Sequence, residues 1–73
     1  MEDEWVLVRF PDNRNVFVDG GLLGSTNNKF IVQRGDHIFD LGDPKDYLPR
    51  IIQRMVVGTD EDHPMIIAFS RAA

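Results

Sequence analysis

The sequence predicts an all-β domain, a small antiparallel β-sandwich or meander of five to six short strands. Val, Ile, Thr, Phe, Tyr and Trp, which are enriched on pleated and half-buried surfaces, supply 22 of the 73 residues, whereas Ala, Glu and Lys together supply eight. Turn-forming residues recur at short, fairly regular intervals, the spacing typical of a meander or a small sandwich. A chain of 73 residues provides one hydrophobic core, so residues 1–73 form a single domain.

The first half of the chain alternates apolar segments with turn signals. The first predicted strand, residues 5–10, is apolar on both faces except at Arg9, and a polar stretch at 11–15 ends it. A second strand runs to Asp19-Gly20, a pair typical of the type I′ hairpin turn because both central residues of that turn need positive φ. A short return to Gly24 and a polar loop follow.

The second half is predicted as strands at 30–32, 37–41 and 65–69, with a turn around Gly35 before the second of these. The stretch 47–57 is ambiguous. Its apolar residues recur at helical spacing, namely Leu48, Ile51, Ile52, Met55 and Val56. Asp46 and Gly58 are suitable caps for one short helix near residues 47–57, but the β-branched pairs favour a strand.

The middle of the chain resembles a PEGA domain, a small all-β module of bacterial and archaeal surface and multidomain proteins. The residues that carry the resemblance are Val16-Phe17-Val18-Asp19-Gly20, Gly24-Ser25-Thr26, Gly35-Asp36-His37, Tyr47 and Pro49. Pro11-Asp12-Asn13-Arg14 stands where the family has Pro-Glu-Gly-Ala, and Asn27 replaces the usual Pro after the Gly-x-Thr element.

The PEGA resemblance implies a β-sandwich with a non-catalytic role in adhesion or protein interaction, and it supplies no catalytic residues. Independently of the family, Asp19, Gly20, Gly24 and Gly35 are predicted to be structural turn residues, because tight reversals need backbone angles that glycine adopts readily.

Composition excludes several classes of function. The net charge of −4 and the pI near 4.8 argue against nucleic-acid binding, which requires cationic charge to neutralise phosphates. Without cysteine there is no thiolate metal site and no cysteine nucleophile. No apolar run approaches the roughly 20 residues of a membrane helix, and the acidic first residues do not resemble a secretory signal. We therefore expect a cytoplasmic protein without membrane insertion.

The sequence contains no motif with the spacing typical of a metal site, a hydrolase nucleophile or a phosphate-binding loop. His37 and His63, with Asp36 and the acidic run 60–62, lack the spacing of a metal site or a calcium loop. Ser25-Thr26 lies outside any Gly-x-Ser-x-Gly elbow, and the glycines at 20–24 are not followed by the Lys-Ser/Thr of a phosphate loop. The sequence therefore predicts no catalytic residues, no metal, no cofactor and no enzymatic activity.

The apolar content of 42% is large for a domain of 73 residues, because each sheet of a sandwich has only one face that can pack into the core. Part of the apolar side chains should therefore face outward and form an interface with a protein partner or a second copy in a homodimer. The predicted interface residues are Trp5, Leu7, Phe17, Ile66 and Phe69, with Ala68 beside them. The terminal strands are also predicted to be sheet edges available for pairing.

A binder of small ligands or carbohydrates is the alternative. Trp5 or Tyr47 would then provide a stacking platform for a sugar ring, with Asn27, Asn28 and Asp36 as hydrogen-bonding groups.

Overall fold

A computed structural model describes residues 2–72 and contains β-strands and no helix within them. The strands are β1 (Asp3–Arg9), β2 (Asn15–Val18), β3 (Gly21–Ser25), β4 (Lys29–Gln33), β5 (Gly35–Asp40), β6 (Tyr47–Leu48), β7 (Ile52–Val56), β8 (Met65–Ala68) and β9 (Ser70–Arg71). The all-β prediction is confirmed, and the ambiguous stretch forms β6 and β7. The strands outnumber the predicted five to six partly because β6 and β9 are only two residues long.

The strands form two main sheets and a short ribbon. The three-stranded sheet has the order β4-β1-β8, and the four-stranded sheet has the order β3-β2-β5-β7. The pairings within both sheets are antiparallel except that of β1 with β8, which is parallel. The ribbon pairs β6 with β9. Residues 2–72 contain no helix with the length and hydrophobicity needed to cross a bilayer.

The first strand lies at the centre of its sheet, so the prediction that both terminal strands are edges is wrong for β1. It pairs with β4 on one side and with β8 on the other, and β8 is an edge as predicted. The central position suits β1 because Val6 and Val8 are completely buried on its inner face.

The hydrophobic core lies between the sheets and is built by strand alternation, which places every second side chain inside. Its members are Val6, Val8, Phe10, Val16, Val18, Val32, Phe39, Leu41, Tyr47, Ile52, Val56, Ile67 and Phe69. Full burial of a side chain of this size contributes about 1.5–3 kcal/mol to stability. The core therefore takes one face of each strand and leaves the other face outside.

Phe69 is only 4% exposed, so its prediction as an interface residue is wrong. It continues the alternation of β8, in which Ile67 points inward, and its ring packs edge-on against Tyr47 at 5.4 Å between centroids. Phe10 contacts the other side of Tyr47 at 6.4 Å, also edge-on. These three aromatic rings close one end of the core.

Arg14 lies at this end of the molecule, and its side chain connects the stretch 11–15 to the loop 41–46. Its guanidinium pairs with Asp46 and donates to the backbone carbonyls of Pro44, Leu41 and Gly42 at 2.8, 3.3 and 3.4 Å. The same group lies 5.5 Å from the centre of the Tyr47 ring, within range of a cation–π interaction. The polar stretch 11–15 thus contributes an anchor as well as a turn.

Three of the four predicted turn residues have positive φ. Asp19 and Gly20 have φ of 53° and 86°, the sign that a type I′ turn requires at both positions, and Gly35 has φ of 146°. The prediction of Gly24 as a turn residue is wrong, because Gly24 lies within β3. A Cβ atom at this position would lie 2.7 Å from the Phe30 ring, so the close approach of β3 and β4 requires a residue without a side chain.

Gly24→Ala should lower the free energy of unfolding by about 1–3 kcal/mol, because the added methyl group displaces the packed Phe30 ring. Gly21→Ala, on the same strand, is the matched control, since its nearest neighbour is the Val18 carbonyl oxygen at 3.8 Å. This control should stay within about 0.5 kcal/mol of the wild type. Urea unfolding measures the free energy of unfolding of both variants. Equal values for Gly24→Ala and Gly21→Ala would show that the contact with Phe30 is not tight.

Candidate functional site

Four apolar side chains form a continuous surface on the outer face of the three-stranded sheet. Trp5 and Leu7 project from β1, while Ile31 on β4 pairs with Trp5 and Ile66 on β8 pairs with Leu7. Trp5 and Leu7 are half-buried, and Ile31 and Ile66 are 40% and 50% exposed. We call these four residues the outer patch.

Charged residues surround the outer patch. Lys29, opposite Leu7 on β4, donates from Nζ to the Glu61 carbonyl at 2.9 Å, so the loop 59–64 that leads into β8 also contacts the opposite edge strand of this sheet. Arg9 lies beside Ala68 at the far end of β1 and forms no ion pair within residues 2–72. An apolar centre with a polar rim is the usual anatomy of a protein interface.

The structure divides the predicted interface residues into three groups. Trp5, Leu7 and Ile66 lie together in the outer patch, and Phe69 lies in the core. Phe17 is half-buried on the outer face of the other sheet, where its ring packs over Gly42. Sequence reasoning missed Ile31, although the alternation of β4 between buried Val32 and exposed Ile31 marks it as outward-facing.

The other sheet also carries exposed apolar side chains on its outer face, but polar residues separate them. Leu22 pairs with Phe17, which in turn pairs with Asp40 on the neighbouring strand. Ile38 pairs with Gln53. The apolar surface of the four-stranded sheet is therefore less continuous than the outer patch.

The edge of β8 adjoins the outer patch and carries unpaired backbone groups. In a parallel pair, successive residues direct their N–H and C=O groups alternately to either side of the strand. The Phe69 amide donates to the Arg9 carbonyl at 2.9 Å, toward β1, so Ile67 faces the same way. Ile66 and Ala68 therefore direct their backbone groups to the open side.

No polar side chain protects β8, in contrast to the other edges of the two main sheets within residues 2–72. Edge strands commonly avoid unwanted pairing by charged residues, bulges or short length. β4 begins with Lys29, β7 contains Arg54, and β3 has an irregular register against β2 at Val16/Phe17. β8 has the sequence Met-Ile-Ile-Ala, so it has neither a charged side chain nor an irregular register, and of these three protections it has only its four-residue length.

A buried carboxylate fixes the strand that carries the outer patch. Glu4 is 2% exposed and accepts hydrogen bonds from the Thr59 amide and hydroxyl at 2.8 and 2.6 Å and from Arg34 Nε at 3.0 Å. The Trp5 amide donates to the same Thr59 hydroxyl at 2.7 Å. The bonds from Thr59, assisted by Arg34, hold the pKa of Glu4 below its usual range although burial acts in the opposite direction.

His37 is held between two acceptors, and within residues 2–72 it belongs to no group of three or more side chains placed to hold a metal ion. Its Nδ1 lies 2.6 Å from Asp19 Oδ2 and its Nε2 lies 2.6 Å from the Gln33 carbonyl, a geometry that only the doubly protonated ring satisfies at both nitrogens. Burial opposes the charged ring, but these two bonds and the nearby charges of Asp19 and Asp36 outweigh it and raise the pKa of His37.

The other predicted chemical groups also serve the fold. His63 is exposed and contacts Asp60, and residues 2–72 contain no group of three or more His, Cys, Asp or Glu side chains placed to hold a metal ion. Thr26 is fully buried, where its hydroxyl accepts from the Arg14 amide and donates to the Asp12 carbonyl.

The groups predicted for a carbohydrate site do not come together. Tyr47 is 1% exposed and cannot stack against a sugar, so its prediction as a platform is wrong. Asn27 donates from Nδ2 to the Phe10 carbonyl at 2.8 Å, which occupies its amide with the protein's own backbone. A shallow groove of about 530 Å³ does lie beside the outer patch, along Arg9, Pro11, Ile66 and Ala68.

Comparison with known proteins gives no assignment. No protein-family model, no curated protein and no solved structure matches this chain.

The His37 contacts predict a pH-dependent contribution to stability. Because the pKa of His37 is raised above 6.5 in the folded state, its stabilising effect is complete below about pH 6.5 and is lost as the pH rises through the folded-state pKa. In urea unfolding, the difference in unfolding free energy between wild type and His37→Asn should therefore be constant below about pH 6.5 and shrink as the pH is raised above it.

His63→Asn is the control for this experiment, because the His63 side chain is 82% exposed and its ring is not enclosed by acceptors on both nitrogens. A difference between wild type and His37→Asn that stays constant as the pH is raised above about 6.5 would contradict the role given to the charged ring.

Proposed function

We propose that this chain is a non-enzymatic protein-interaction module and that the outer patch, with the open edge of β8, is its binding surface. The observation that carries the proposal is the continuity of Trp5, Leu7, Ile31 and Ile66 across three adjacent strands. Contiguous exposed apolar surface rimmed by polar residues is a common mark of an interaction site.

The proposed mechanism combines two contributions. A partner strand that pairs with β8 gains backbone hydrogen bonds from Ile66 and Ala68, and its side chains then extend the apolar surface beside Ile66. Backbone pairing fixes the orientation of the partner, and removal of the outer patch from water supplies the affinity.

The absence of enzymatic activity is part of the proposal. It is supported by the engagement of the chemically versatile side chains in the fold: His37 bridges Asp19 and a backbone carbonyl, and the Thr26 hydroxyl is enclosed between two loops.

We also propose that the chain is a variant of the PEGA-like β module. The support consists of the quoted motifs and of local geometry that agrees with their use as turns, in particular the positive φ of Asp19 and Gly20. The stretch 11–14, where the family's name-giving motif is replaced, here includes the anchoring residue Arg14.

Ile66→Glu should abolish most partner binding, because it places a carboxylate in the apolar surface beside the open edge. Affinity purification from cells of the source organism, with quantitative mass spectrometry, should show at least about a tenfold loss of specific partners relative to wild type, copies of the chain itself included.

Leu22→Glu is the matched control, since Leu22 is 61% exposed on the other sheet. It should retain the partners that Ile66→Glu loses. Identical protein sets for wild type and both variants would overturn the proposed binding surface.

A further inference from the structure

We infer that the outer patch and β8 bind a second copy of this chain, with β8 pairing antiparallel to its own copy across a two-fold axis at Ile67. The inference rests on the proposed function and specifies the partner. A two-fold contact uses the same surface on both subunits, so an edge that complements itself is sufficient to form a closed dimer.

The backbone of β8 fits this arrangement. Ile66 and Ala68 have their N–H and C=O groups on the open side, and an axis at Ile67 places Ile66 of each copy opposite Ala68 of the other. Each of these two residue pairs exchanges two hydrogen bonds, as in any hydrogen-bonded antiparallel pair. Four hydrogen bonds would then join the copies without a change in either fold.

Pairing in this register also joins the two outer patches. The three-stranded sheet becomes a continuous six-stranded sheet, and the side chains of Ile66 and Ala68 from the two copies alternate on one face. Within each copy, Leu7 on β1 lies next to Ile66 on β8. The apolar surface therefore continues from β1 of one copy, across both β8 strands, to β1 of the other. Cross-strand apolar pairs of this type add to the stability of a sheet.

Charge favours the antiparallel direction. β8 begins three residues after Asp62 and ends beside Arg9, and neither Asp62 nor Arg9 forms a side-chain ion pair within residues 2–72. Antiparallel pairing brings the acidic end of each copy toward the Arg9 end of the other. A parallel arrangement would place acidic loop beside acidic loop, and each copy already carries a net charge of −4.

Sedimentation equilibrium tests the dimer directly. Wild type and Leu22→Glu should both show a reversible monomer–dimer equilibrium between about 10 and 500 µM, whereas Ile66→Glu should remain monomeric because its carboxylate lies beside the dimer axis. Circular dichroism confirms that each variant is folded.

A monomeric wild type at the highest concentration would overturn this inference. The proposed function would survive that result if affinity purification still showed partners that depend on Ile66, in which case the edge binds an extended segment of another protein. A monomeric wild type together with the absence of partners that depend on Ile66 would overturn both proposals.

Disulfide trapping tests the register, and the chain is suited to it because it contains no cysteine. Ile66→Cys and Ala68→Cys variants are mixed and oxidised, and mass spectrometry distinguishes the products. The mixed disulfide should exceed the two symmetric ones by about fivefold, because directly opposed residues have Cβ atoms about 4.5–5.5 Å apart and diagonal ones are more distant.

Leu22→Cys is the control and should cross-link only at the background rate, since Leu22 lies on the opposite sheet. A predominance of the symmetric Ile66→Cys product would contradict the antiparallel register. Cross-linking of all variants at equal rates would show that no specific dimer forms.

Discussion

The structure depends on one constraint, which is that two small sheets enclose a single inner layer. Each strand contributes one face to that layer, so an apolar strand necessarily presents its other residues outside. β1 shows the consequence most clearly: Val6 and Val8 are completely buried, and Trp5 and Leu7, between and beside them, face outward. The outer patch is therefore a direct result of apolar residues at successive positions of strands that have one face in the core.

Polar side chains connect strands and loops that the small hydrophobic core does not hold together. Glu4, Thr59 and Arg34 connect the first strand to the loop before β8, and the Arg14 side chain connects the stretch 11–15 to the loop 41–46. No described buried polar side-chain atom lacks a partner, so these groups stabilise the fold without an unsatisfied group.

Local patterns predicted much of this fold, and long-range pairing explains what they missed. The Asp19-Gly20 turn and the outward position of Ile66 follow from residue type and alternation. The helix alternative for 47–57 rests on the helical spacing of Leu48, Ile51, Ile52, Met55 and Val56. Of these only Ile52 and Val56 are buried, and their spacing of four residues also fits two strand repeats. The burial of Phe69 follows from the same alternation, since Phe69 is two residues after the buried Ile67. The central position of β1 depends on its parallel pairing with β8, which no local pattern reveals.

Amide hydrogen exchange, measured residue by residue by NMR at increasing protein concentration, tests the central claim most directly. If the open edge of β8 pairs with a second copy, the amides of Ile66 and Ala68 become protected as the concentration rises, while the amide of Ile67, already directed toward β1, changes little. Rapid exchange at Ile66 and Ala68 that is independent of concentration would contradict the claim that this edge is the site of self-association.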